Sequence, residues 1–502
     1  MYDDDDRYSD SFEAESAPDI APDGLPDSPP RRRGCLFLFV SLLLIVTLIG
    51  SSLAAWFIMA QRPVTVTPAD TTSAGRQPTL APATLVAALS TPLPATEQPA
   101  PVAAAEPAVN RIVIVNAEGQ VETLSPTGQE RRVLTSEGQS VFFQFPAWSP
   151  DGRRLAVIGT RLNGGGIYVL PDVVGADIMP ESQVYFSADE TPIYLYWSPD
   201  NTKLAFLANQ PRNRMGLKVI NSDGGSASRL LATGAPFYWD WSDDGRQLLV
   251  HSGEDQSAAL SLIGVQGETQ AGNLATPGAF QAPGIAAGGR YWAFAEESEG
   301  LSALTVVDTQ TGERRSFESS DSLALGWSPA GDHLAFTNAT GDSHPFWGPL
   351  RVLDVVAGQT RLLTRQTVLA FFWSPDGRSI AYITVNGTIE DDGINALVKP
   401  RRLTKLARSA QQTQGFLTLS VVDVASGQGL RLLDFEPTIV FLTQFLPFFD
   451  QYALSHSLWS PDSSALVLPV REEEGNVILV VPTTGGRPFR LAAGDVAFWS
   501  SR

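Results

Sequence analysis

One pentapeptide governs what this chain can fold into. Trp-Ser-Pro-Asp-Gly stands complete at Trp148–Gly152 and again at Trp373–Gly377. Close variants begin at Trp197 (WSPDN), Trp241 (WSDDG), Trp327 (WSPAG) and Trp459 (WSPDS). A degenerate copy, IAAGG, starts at Ile285, and a truncated WSS starts at Trp499. Successive copies lie 49, 44, 44, 42, 46, 86 and 40 residues apart. A period of about 44 residues is that of a four-stranded propeller blade.

The motif has a mechanical reason. Ser, Pro and Gly at its second, third and fifth positions match the first, second and fourth positions of a type I turn. A terminal Gly, free to take positive φ, lets a hairpin continue through a bulge. Each copy follows an apolar run (VFFQFPAW, PIYLYW, PFYWDW, VLAFFW) and precedes another (RLAVIG, KLAFLA, QLLVHS, HLAFTN, SIAYIT). A third run and a turn come next, as in GLKVINSDGG and LSVVDVASGQ, and a short fourth run such as SRLLAT ends the unit. The reading is all-β, with four antiparallel strands per repeat and the tryptophan packed between neighbouring repeats. Gly (43) and Pro (36) are abundant while charged residues are only 18%, which suits short strands and many turns.

The ends complement each other. C-terminal DVAFWS supplies an innermost strand, and RIVIVN, QVETLS and RRVLT near Arg111 supply its three partners. One blade built from both termini removes the open edges of a linear array. Eight motifs imply eight blades; seven is the alternative if the unit at Ile285 is not one. On these residues the region 111–502 resembles the TolB-type, WD-like β-propellers, whose hallmark is the WSPDG turn followed by a strand such as LAFxS. The resemblance implies a propeller but not one function, because such propellers serve as periplasmic scaffolds, as lids of prolyl-oligopeptidase-like enzymes and in sugar lyases. Unlike TolB itself, this chain has no recognisable small domain ahead of the propeller.

Before the repeats lie three other zones. Residues 1–33 are an acidic, proline-rich tail, with ten Asp/Glu against Arg7 up to Pro30, closed by Arg31, Arg32 and Arg33. Such a segment buries too little apolar surface to offset its ordering entropy and reads as disordered. Residues 34–60 carry no charge, enough to span a bilayer as one helix. The run is too long for a cleaved signal peptide and reads as a signal anchor. Three arginines before it against the lone Arg62 just after it put the N-terminus in the cytoplasm and the repeats outside. Cys35 precedes the apolar run, where a lipoprotein cysteine would follow it. Residues 61–110 are rich in Pro, Ala and Thr and read as a semi-rigid stalk.

Little here supports catalysis. A net charge of −19 argues against nucleic acid as a partner, and one cysteine excludes a disulfide framework and a cysteine-based zinc site. Gly224-Gly225-Ser226-Ala227-Ser228 lacks the last glycine of a nucleophile elbow. His251, His333, His344 and His456 fall in different repeats with no metal-ligand spacing. Glu390-Asp391-Asp392-Gly393 lacks the alternation of a calcium loop. No cofactor or metal is expected. Two function classes remain: an anchored, extracytoplasmic, non-catalytic scaffold binding a protein, peptide or envelope polymer, or a carbohydrate-active or lyase-type enzyme using the propeller channel. The first is favoured, since it needs only loops on a rigid frame.

The long spacing after Trp373 locates the candidate binding face. Its excess splits into an insertion at about 386–415, with Lys399, Arg401, Arg402, Lys405 and Arg408, and another at 436–455, with Phe441, Phe445, Phe448, Phe449 and Tyr452. The preceding repeat adds a long loop carrying His344, Phe346 and Trp347. In a four-stranded meander all three loops emerge at one end, and aromatics beside arginines are the composition of interface hot spots. The expectation is that these aromatics stand on the rim. The alternative is that they pack a small subdomain against it.

Overall fold

The computed structural model describes residues 110–502, apart from 136–139, 172–182, 212–213, 254–256, 273, 299, 321, 340–345 and 387–415. The tail, the apolar segment, the stalk and the basic cluster Lys399–Arg408 therefore lie outside the described residues. Among the described residues no helix is long and apolar enough to cross a membrane.

The repeats fold as antiparallel meanders. Four-stranded sheets run from Phe142 to Ser187, from Pro192 to Gly234, from Phe237 to Ala271 and from Gly284 to Ser320. The degenerate copy at Ile285 thus heads a complete sheet. Next comes a seven-stranded sheet from Leu323 to Phe435, fused because the strand Gln359–Trp373 ends one repeat and begins the next. A three-stranded sheet, Ala465–Ala493, follows; its innermost element is reduced to isolated bridges such as Trp459 with Leu466.

The WSPDG turns behave as their residues dictate. In the first, Gly152 donates to the Ser149 carbonyl at 2.8 Å, and Gly152 has φ +70°. The Ser149 hydroxyl donates to Asp151 at 2.7 Å and accepts from the Arg154 amide at 3.0 Å. The same contacts recur around Ser198, Ser242, Ser374 and Ser460. Where the last residue is Asn201 or Ser463 the positive φ persists, so the turn is set by the motif as a whole. Even IAAGG keeps it, with Gly289 donating to Ala286 at 2.8 Å.

The tryptophans stitch one sheet to the next. Trp197 Nε1 donates to the Ala147 carbonyl at 3.0 Å, Trp373 to Gly326 at 2.9 Å and Trp459 to Phe372 at 3.0 Å. In each case the acceptor is the residue just before the previous motif's tryptophan, so the indole fixes the angle between neighbours. Closure is by both termini: Val496–Trp499 pairs with Ile112–Val115 along four residues, and Val121–Leu124 and Arg132–Val133 complete the sheet. Around this seam the Asn110 amide donates to Arg502, the Arg111 amide to the Ser500 hydroxyl, and the Ser501 hydroxyl to Ser149 and Pro150. The result is a closed β-propeller.

Strand alternation sets the two faces. All WSPDG turns join a first strand to a second and lie at one end of the ring. Second-to-third and fourth-to-next connections lie at the other. Asn110 leads into a second strand, so the chain enters the ring at the WSPDG end.

Candidate functional site

The insertion 436–456 does not stand on the rim. It folds inward as a plug made of a π-helical turn (Phe441–Phe445), a 3₁₀ turn (Leu446–Phe448) and one α turn (Phe449–Ala453). Phe441 and Phe445 are 0% exposed, Phe449 2% and Tyr452 7%. The expectation that these four present themselves to a partner is therefore corrected. The physical reason is plain: the innermost strands converge on an apolar funnel, and an uncharged run of aromatics is the segment that fills it.

The contacts show where the plug sits. Tyr452 packs on Phe145 and Tyr194 at ring distances of 5.3 and 5.0 Å. Phe449 meets Phe371 at 5.1 Å, and Phe445 meets Phe372 at 5.9 Å and Phe498 at 5.7 Å. The α turn also lies beside Leu323–Trp327. These partners belong to the innermost strands of different sheets all around the ring, so the plug lies on the axis.

Polar side chains on the plug answer backbone groups on the free inner edges of those strands. Gln451 Oε1 accepts from the Trp239 amide at 2.7 Å, while its Nε2 donates to the Trp239 carbonyl at 3.0 Å. Asp450 accepts from the Ala282 amide at 3.0 Å, and Gln281 Nε2 donates to the Pro447 carbonyl at 2.9 Å. The Tyr194 hydroxyl donates to the Gln451 carbonyl at 2.9 Å and lies 2.7 Å from the Ser455 hydroxyl. Ser455 in turn sits 2.6 Å from His456 Nδ1, whose other nitrogen faces the Phe145 carbonyl at 3.4 Å. At the plug's entry the Thr438 hydroxyl donates to the Asp495 carbonyl at 2.8 Å.

Burial dominates the electrostatics. It pushes Asp450 up to about 7, against the lowering effect of the Ala282 and Gln451 amides. Asp240, on the Trp239 strand, is pushed up to about 7 in the same way, despite amides from Ile285 and Trp241. Burial holds His456 down to about 3 and His251, stacked 4.0 Å from Phe280, down to about 4. The Tyr194 and Tyr452 hydroxyls are raised by burial as well. Each of these groups is spent on internal hydrogen bonds or ring packing. Among the described residues no group of three or more His, Cys, Asp or Glu is placed to hold a metal ion.

These shifts have opposite signs. The raised Asp450 contributes stability that is fully present below the ordinary carboxylate value near 4 and lost as pH rises through about 7. The depressed His456 contributes stability present above about 6.5 and lost as pH falls toward about 3. Asp450→Asn keeps an acceptor for Ala282 but removes the first contribution. Its melting temperature, measured against the native chain, should therefore gain between pH 5 and pH 8. A constant difference across that range would contradict a buried Asp450.

The remaining expected residues divide. Phe346, at φ +71°, and Trp347 are half-buried and pack on the core edge, as does Phe448, whose ring lies 6.5 Å from Tyr238. Lys399, Arg401, Arg402, Lys405, Arg408 and His344 lie outside the described residues. Gln451, Asp450, Tyr194, Trp239 and His456 were missed by motif reading. For Asp450 and Gln451 the signal is an uncharged stretch, Pro437–Phe449, running into polar residues in mid-helix; Tyr194 and Trp239 carry no such local signal.

No family model and no curated protein matches the chain. Among solved structures it is similar to TolB from Acinetobacter baumannii, at 16% identity over 68% of this chain and 81% of that one, with a TM-score of 0.36. An oligogalacturonate lyase in complex with manganese is similar at 13% identity over 74% and 95%, with a TM-score of 0.44. A eukaryotic initiation factor is similar at 11% identity over 78% and 98%, with a TM-score of 0.46. The propeller assignment itself rests on strand order and closure.

Proposed function

We propose that this TolB-like β-propeller is a membrane-anchored, extracytoplasmic, non-catalytic scaffold that binds a protein, peptide or envelope polymer on the rim around its plug. One observation carries the reading. The point where the innermost strands converge, which a channel enzyme keeps open to substrate, is filled by Phe441, Phe445, Phe449 and Tyr452. Function then falls to the loops around the plug, where 340–345 and 387–415 are inserted. We read the ring as eight-bladed, with residues 34–60 as the anchor and the N-terminus cytoplasmic. Asn110 enters the ring at the WSPDG end, and the connection that forms the plug lies at the other end.

Arg401, Arg402 and Lys405 supply cations in a chain of net charge −19, and Phe448 and Trp347 are half-buried rings packed on the core. Such a rim suits an acidic polymer or an acidic protein face. The test is capture from an envelope extract by the full-length protein and by a folded Arg401→Ser, Arg402→Ser, Lys405→Ser, Phe448→Ala variant. Loss of capture with unchanged melting supports the reading. Undiminished capture by the folded variant moves the binding face elsewhere.

A further inference from the structure

Three observations set residues 436–456 apart from the ring that surrounds them. First, no strand ladder holds the segment. Its ends are fixed by isolated bridges, Pro437 with Val470 and Ser457 with Trp499, and its middle by side chains meeting backbone groups. The closing pairs Ile112–Trp499 to Val115–Val496 form without it. Second, the local backbone is irregular. Residues 441–453 change from π to 3₁₀ to α geometry, and Phe145, against which Tyr452 and His456 rest, sits at φ +48°. π turns cluster at functional positions, and a bulky residue in the left-handed region persists only where the surroundings impose it. Third, the plug carries a buried carboxyl, Asp450, and a buried imidazole, His456, and among the described residues no cation is bonded to either.

We propose that residues 436–456 form a displaceable plug: a self-contained latch that leaves the axis as a unit while the ring stays closed. Opening frees the inner edges of the strands at Trp239 and Ala282, and the rings of Phe145, Tyr194, Phe372 and Phe498 that line the funnel. It also relieves Phe145 and returns Asp450 and His456 to water. The chain can bridge the gap without the plug, since elsewhere two residues, Ala235 and Pro236, suffice to join a fourth strand to the next first strand. The cost of opening is the exposure of the plug's four buried aromatic side chains and of the rings that line the funnel, so the open form is a minor state, reached by sub-global opening rather than by unfolding. The latch does not depend on the scaffold reading, because it concerns only how this segment is held.

Native-state hydrogen exchange on the full-length protein tests it. The amides from Phe441 to Ala453, and that of Trp239 which the plug caps, should exchange about 100-fold faster than those of Leu249 and Val250 in the next strand, with a weaker dependence on added denaturant. A second variant keeps the question open to failure: 436–456 is replaced by a connector of about four Gly and Ser residues. It should melt cooperatively and bind a synthetic 436–456 peptide in trans, read as a change in tryptophan fluorescence. Equal exchange rates with one shared denaturant dependence overturn the proposal. So does a connector variant that fails to fold, or that folds and does not bind the peptide.

Discussion

Deleting Asp495–Arg502 leaves a chain that no longer melts as one cooperative unit. The deletion removes the innermost strand of the closing sheet and uncovers Ile112, Val113, Ile114 and Val115, each at most 3% exposed. It takes away Phe498, which supports both Phe445 and His456 on the axis, and the hydrogen bonds of Ser500, Ser501 and Arg502 to Arg111, Ser149, Pro150 and Asn110. Burying a large apolar side chain is worth about 1.5–3 kcal/mol, and Val496, Phe498 and Trp499 are all lost together. Added to the exposed partners and unpaired backbone, the loss is comparable with the whole stability of about 5–15 kcal/mol expected of a domain. Two open edges remain, which invites aggregation. Circular dichroism melting and size-exclusion chromatography of the truncated chain read the result. Unchanged melting of a monomeric truncated protein would falsify closure by both termini.

Phe445→Ala should cost about 3–5 kcal/mol, while Phe448→Ala, three residues away, should cost less than about 1 kcal/mol. Phe445 is 0% exposed and is surrounded by the rings of Phe441, Phe372, Tyr452 and Phe498 at 5.0 to 5.9 Å. Removing its ring opens a cavity at the axis that no neighbouring strand can close, because those strands are held by their own ladders. Phe448 is half-buried at the edge and touches Tyr238 from one side. Urea denaturation with a common slope reads both as shifts of the midpoint. Equal and small effects would place Phe445 outside the core. A large effect from both would mean that the plug has no outward side.

These two experiments bear on parts of the molecule that were unequally visible beforehand. The turn around Ser149, Asp151 and Gly152 is local: the hydrogen bonds that shape it run within residues 149–154, so the residues spell the geometry and the period spells the repeat. Closure was legible for the same reason, since RIVIVN and DVAFWS each lacked the partners that the other supplies. The degenerate copy at Ile285 was readable through its strands rather than its turn. The plug was not readable in this way. Phe441, Phe445, Phe449 and Tyr452 have a spacing that makes one apolar helix face, and such a face can turn to a partner, to the rim or into the axis with equal local satisfaction. What decides is the funnel left by first strands far away in sequence, at Phe145, Tyr194, Trp239 and Phe498, which no window of sequence contains. The same distance hid the polar half of the site. Gln451 and Asp450 read as solvent-facing residues until their partners, the Trp239 and Ala282 amides, are known.

A seated plug also changes how mutations in the candidate binding face are interpreted. Phe449 is 2% exposed within the plug, so substituting it would unseat the segment whatever its role toward a partner. That is why the rim variant proposed above leaves Phe449 alone.

The most direct test of the axial plug is a double-mutant cycle between Phe445 and Phe498. The two are 53 residues apart in sequence and stack at 5.7 Å only if the segment enters the ring and meets the closing strand. Each residue is changed to Leu, singly and together, and unfolding free energies are measured in urea. The account predicts a coupling of about 0.5–1.5 kcal/mol, the range for a packed aromatic pair. Additivity within about 0.3 kcal/mol would mean that the rings do not meet, and that the axis is not where residues 436–456 reside.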